Sequence, residues 1–206
     1  FVPLLPLRSE KTHFTFTWRS VLDIWSKNKR FFIPEVVDNF MEDTGVVLSI
    51  FIYIKLMSVT QVGIIGTLTS AAVIVFTLSI GRISDGWNRP HLLRIGAVLV
   101  SLTWLVNAVV GGFVPNQWFF YIATIINTLA VKTFLVPYQS FLMNAARKDD
   151  AQFIVLREIP VILGRIIMYS LALVLFNNLP ILFVITACLF IYFWFLDSRR
   201  LAILGS

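Results

Sequence analysis

A single cysteine, Cys188, rules out an intramolecular disulfide. Histidine is nearly as scarce: His13 and His91 stand far apart with no cysteine or carboxylate at ligand spacing, so a metal site is not expected. Charge is the largest shortfall. Charged residues make up 14% of the chain, against roughly 25% in an average soluble domain. Hydrophobic residues reach 58%, and mean hydropathy is +0.83. A soluble domain with this much apolar surface would aggregate. Apolar runs near 20 residues, enough to cross about 30 Å of hydrocarbon, recur along the sequence. The expectation is an all-α integral membrane protein whose first partner is the lipid bilayer. An enzyme is disfavoured, because the sequence holds no nucleophile–base pair, no metal-ligand cluster and no soluble segment large enough for an active site. No cofactor and no nucleic-acid partner are expected.

Six spans are predicted, at Phe31–Leu56, Val62–Ile80, Leu92–Val114, Trp118–Met143, Phe153–Phe176 and Leu179–Leu196. Residues 1–30 read as a basic cytoplasmic linker carrying an amphipathic helix over about Thr17–Lys29. Trp18, Val21, Leu22 and Trp25 share one face of it, and lysines flank the tryptophans, which suits a helix lying in the membrane interface. Residues 31–200 form the transmembrane domain, and 201–206 a tail or cloning scar. The opening FVPLLPL and the lack of an initiator methionine suggest a piece of something larger.

Basic residues set the orientation. With the N-terminus in the cytoplasm, fourteen of the basic residues after it, from Arg8 to Arg200, fall on that side, and only Lys55 falls outside. Six spans then leave both termini cytoplasmic, in a bacterial inner membrane or a plasma membrane.

The connection after the second span reads GRISDGWNRPHLLRIG, from Gly81 to Gly96. Gly81-x-x-x-Asp85 followed by Arg89 resembles the signature loop of the major facilitator superfamily, G-x-x-x-D-[RK]-x-G-[RK]-[RK], which lies between the second and third helices of each six-helix half. Gly86, Asn88 and Pro90 depart from that pattern. Such departures are common in C-terminal halves of these transporters, so the resemblance implies one six-helix half-bundle, its spans corresponding to helices seven to twelve. It also implies that Gly81, Asp85 and Arg89 act as a cytoplasmic latch between halves. Chemically, the carboxylate suits a helix N-terminus and the glycine permits close helix approach.

Charge inside a span costs roughly 2.5–3.5 kcal/mol per residue on insertion scales, so each case asks for a reason. In the first span Glu35, Asp38, Glu42, Ser49 and Tyr53 follow steps of three and four, with Gly45 filling the gap. Tyr121, Thr124, Thr128, Lys132 and Gln139 do so in the fourth, and Glu158, Arg165 and Tyr169 align in the fifth. The third and sixth spans are almost wholly apolar. In the major facilitator fold the first and fourth helices of each half line the cavity, and the third and sixth face lipid. Glu42, Lys132 and Arg165 lie about 9–12 Å inside the predicted cytoplasmic boundary and are able to share a layer.

Two readings of that layer stand side by side. One is a neutralised structural network of Glu42 or Asp43 with Lys132 and Arg165. The other is a working site, in which a buried carboxylate such as Glu42 or Asp38 carries a proton beside a competing cation. Pro137 and Pro160 permit bends that either reading can use. The predicted substrate and proton pathway is Asp38, Glu42, Tyr53, Thr128, Lys132, Gln139 and Arg165. The two cations lean toward an anionic small solute. The function expected is half of a secondary, proton-coupled transporter working by alternating access. Its partner would be a missing N-terminal half or a second copy of itself. An uncoupled channel, a lipid scramblase and a membrane scaffold are the alternatives.

Overall fold

A computed structural model describes residues 18–86, 89–113 and 117–195. Side chains at 18–25, 27–31, 83–86, 89, 112–113, 117, 144–156 and 194–195 lie outside the description. The described residues are helical almost throughout: α1 (Trp18–Leu56), α2 (Val59–Gly86), α3 (Arg89–Phe113), α4 (Gln117–Val174), a 3-10 turn at Phe176–Asn178 and α5 (Leu179–Phe195). Helices close every backbone hydrogen bond within themselves, which is what an apolar surrounding demands of them. Four segments are long and apolar enough to cross a membrane: Val59–Arg82, Pro90–Gly111, Trp118–Met143 and Phe176–Phe193.

Three expectations change. The amphipathic stretch Thr17–Lys29 is not a separate element where it is described, because α1 runs from Trp18 straight through the expected boundary at residue 30. No glycine or proline stands between Trp18 and Ile33 to stop it. Its amphipathic face falls on side chains outside the description. The Gly81–Gly96 connection is also mostly helix, since α2 continues to Gly86 and α3 begins at Arg89. Finally, the fourth and fifth predicted spans belong to one long helix, α4, with Pro137 and Pro160 inside it.

That long helix is not straight. Tyr138 and Arg157 both reach the side chain of Glu35. On a straight helix rising 1.5 Å per residue they would stand about 28 Å apart, farther than their side chains can bridge to one carboxylate. The contacts also give direction. Over 117–143, α4 runs antiparallel to α1, with Phe120 against Phe51 and Tyr138 against Glu35. From Arg157 onward it runs parallel: Arg157 meets Glu35, Gly164 meets Val36 and Phe40, and Arg165 meets Asp43. The chain therefore folds back between Tyr138 and Arg157, and α4 comprises two antiparallel limbs flanking α1.

Aromatic packing fixes the opposite side of α1. Phe51 meets Phe183 edge-on at 5.3 Å between centroids, and Trp104 lies 5.4 Å from the same ring. Phe134 stacks on Tyr138 and takes Phe190 and Phe193 edge-on. Edge-to-face pairs of this kind add about 0.5–1.5 kcal/mol each beyond their burial. Buried hydroxyls join the same helices: Ser101 donates to the Ala187 carbonyl at 2.8 Å, and Thr44 lies 3.3 Å from Thr186. Outward, α3 exposes Leu99, Leu102, Leu105, Val106 and Val109, and α5 exposes Ile181, Val184 and Ile191. Those faces suit lipid.

Small residues set how closely the helices approach. A methyl group on Gly96 would stand 2.7 Å from the Phe134 backbone, and one on Gly164 would strike the Val36 carbonyl. Neither neighbour is a flexible side chain that could move aside. Gly164→Ala should therefore push the second limb of α4 off α1 and cost about 1–3 kcal/mol. Gly63→Ala, with open space around it, should leave stability unchanged or slightly raised. Thermal unfolding of the two variants in detergent checks the pair. Equal midpoints would contradict the close packing of the limb.

Candidate functional site

Between α1, α2 and the first limb of α4 runs a groove of about 620 Å³. Gly45 leaves room on α1, and Ser49, Ser70, Thr124, Asn127, Thr128 and Lys132 supply its polar lining. A smaller cavity of about 200 Å³ adjoins it, lined by Asp38, Glu42, Trp104, Phe134 and Phe190. Gly45, Asn127, Thr128 and Lys132 line both, so the two are neighbours along α1 and the first limb of α4. Helical spacing produces this arrangement. Asp38, Glu42, Gly45 and Ser49 step along one side of α1, and Thr124, Thr128 and Lys132 step along the facing side of α4.

The polar groups differ in what they already hold. Asn127 is buried and accepts a hydrogen bond from Thr103 at 2.7 Å. Thr128 donates to the Thr124 carbonyl at 2.8 Å, which fixes its rotamer. Asp38 is buried, Lys132 is half-buried and Glu42 is exposed, and all three line the smaller cavity. Among the described residues none of these three forms an ion pair or a side-chain hydrogen bond. The Trp104 indole N–H is buried in the cavity wall, also without an acceptor among the described residues.

The charges that do pair lie elsewhere. Glu35, 1% exposed, accepts from Arg157 Nε at 2.7 Å and from the Tyr138 hydroxyl at 3.0 Å. Arg165 Nε stands 3.5 Å from Asp43 Oδ2, a charge contact too long and misaligned to count as a hydrogen bond. Desolvated pairs of this type hold elements in register rather than supplying much net stability.

Of the residues singled out in the sequence, Asp38, Glu42, Thr128 and Lys132 meet at one cavity. Arg165 does not join them. It is half-exposed and stands against Asp43, the alternative carboxylate of the network reading, rather than against Glu42. Tyr53 and Gln139 are exposed and line neither cavity. Gly81 is half-buried, and a Cβ placed on it would meet no atom of the described residues within 4 Å. The side chains of Asp85 and Arg89 lie outside the description. Sequence reasoning passed over Trp104, Asn127, Tyr138 and the pairing of Arg157. In the sequence Arg157 counts only among the basic residues that set the orientation, and the others sit in apolar or helical contexts with no spacing signal.

No curated protein and no solved structure matches the chain. Residues 28–202, most of its length, match the family described as Major Facilitator Superfamily. With four helices apolar enough to cross a bilayer and polar residues lining the space between α1 and α4, the chain is an integral membrane protein of a transporter family, and it belongs to the Major Facilitator Superfamily.

Proposed function

We propose that this chain is one half of a secondary, proton-coupled transporter that moves a small solute by alternating access. The observation that carries the reading is the meeting of Asp38, Glu42, Lys132 and Thr128 at one cavity, with no internal ion pair among them. Charges left open at depth are costly, and in a transporter their counterparts are the solute and the proton. Asp38 is the proton carrier in this reading, because it is the most buried of the three ionisable groups. Glu42, Lys132 and Thr128 contact the solute.

The reading extends to topology. Six crossings are α1, α2, α3, the two antiparallel limbs of α4, and α5. Both ends of this unit are then cytoplasmic, and the Gly81, Asp85 and Arg89 segment is a latch toward the other half. The groove is open along α2, where Gly66 faces empty space. Another half is therefore needed to close it, either an N-terminal half or a second copy of this chain.

A cysteine placed at Ser49, on the groove wall, with Cys188 replaced by serine, tests the function without knowledge of the solute. Alternating access predicts that an impermeant thiol reagent reaches this cysteine from either face, but that locking the protein open to one face removes labelling from the other. Simultaneous labelling from both faces in every state would mean a channel or scramblase. Labelling from neither face would mean a scaffold.

A further inference from the structure

The cavity says more about the solute than its size. Glu42 and Lys132 carry opposite charges on facing helices and line the same small space, yet they are not within ion-pair distance of one another. Arg165, which would have tilted the balance toward anions, stands against Asp43, about 100° around α1 from Glu42. The wall behind them is aromatic and apolar, made by Trp104, Phe134 and Phe190. In such low-dielectric surroundings each open charge gains from a counter-charge far more than it would in water.

An anionic solute would satisfy Lys132 and be repelled by Glu42. A cationic one would meet the reverse problem. An uncharged polyol would offer hydrogen bonds but leave both charges without a counterpart. A zwitterion satisfies both at once and brings no net charge into the bilayer.

Taking the transporter reading as its base, we propose that the solute is an amino-acid-type zwitterion. Its ammonium group binds Glu42, its carboxylate binds Lys132, and its side chain lies against Trp104, Phe134 and Phe190. Lys132 suits the role because its flexible stem lets the ammonium follow the ligand. Asp38 is left outside the solute contacts.

The test uses the purified protein and three chemical forms of one probe, a mixture of the standard amino acids: free, N-acetylated and methyl-esterified. Acetylation removes the ammonium, and esterification removes the carboxylate. Binding is read as the concentration giving half of the maximal rise in unfolding temperature. The free mixture should act at a concentration at least about tenfold lower than either derivative, a modest share of what a lost buried charge contact costs. Glu42→Gln should raise that concentration for the free form while leaving the acetylated form unchanged. Lys132→Met should do so while leaving the ester unchanged. Because the comparison among the three forms is made on the unaltered protein, a poorly folding variant does not block it.

Preference for the acetylated or the esterified form would overturn the zwitterion and point to a plain anion or cation. No response to any of the three would overturn it equally. The transporter reading fails separately, through the Ser49→Cys labelling, which involves no solute.

Discussion

Replacing Arg157 with methionine is expected to lower stability by about 3–5 kcal/mol, the usual result of leaving a buried charge without its partner. Glu35 is the reason. It is 1% exposed, and Arg157 is its sole ionic partner among the described residues. Without the guanidinium, only the Tyr138 hydroxyl remains to the carboxylate. The reverse change should be milder. Arg157 keeps about a third of its side chain exposed, so in Glu35→Gln the cation turns toward the polar boundary and the amide still accepts from Tyr138. That variant should cost about 1–2 kcal/mol. The double variant Glu35→Gln, Arg157→Met should recover most of the larger loss, since no charge is then stranded. A double-mutant cycle by chemical unfolding measures the coupling. The triad also ties α1 to both limbs of α4, so Arg157→Met should loosen the fold-back. Additive single effects would show that the pair does not hold the limbs together.

The second large effect concerns coupling. Asp38→Asn should abolish solute accumulation driven by an imposed proton gradient while leaving solute exchange intact. Asparagine nearly matches aspartate in volume but carries no proton. The same substitution removes a buried carboxylate that forms no ion pair within 4.0 Å among the described residues. Unfolding temperature should therefore stay level or rise, as is common where function maintains an unfavourable group. The opposite signs of the stability changes at Arg157 and Asp38 separate a structural charge from a working one. Accumulation on vesicles and unfolding on the same preparations supply both numbers. A large fall in stability for Asp38→Asn would place Asp38 with Glu35 in the structural network.

Part of this was legible in the sequence, for a definite physical reason. Steps of three and four put Asp38 and Glu42 on one side of α1, and Thr128 and Lys132 on one side of α4. The structure brings those four to one cavity. Apolar length likewise marks four helices as membrane-crossing, while α1 carries Glu35, Asp38, Glu42 and Asp43 within nine residues. Contacts made by the fold-back were not legible. Glu35 finds Arg157 only because α4 reverses, and periodicity says nothing about a reversal. Asp43 and Glu42 are chain neighbours about 100° apart around the helix, and which of them faces Arg165 depends on where the second limb lands. Gly164, which lets that limb sit against Val36, sets this position.

The account rests most heavily on a cavity that opens to one face at a time and responds to protons through Asp38. The most direct measurement follows the Ser49→Cys label while pH is changed on one side of sealed vesicles. Acidifying one side should shift the reactivity of this cysteine from one face toward the other, and Asp38→Asn should remove that response while labelling itself persists. Reactivity from both faces that is indifferent to pH in the unaltered background would contradict the account.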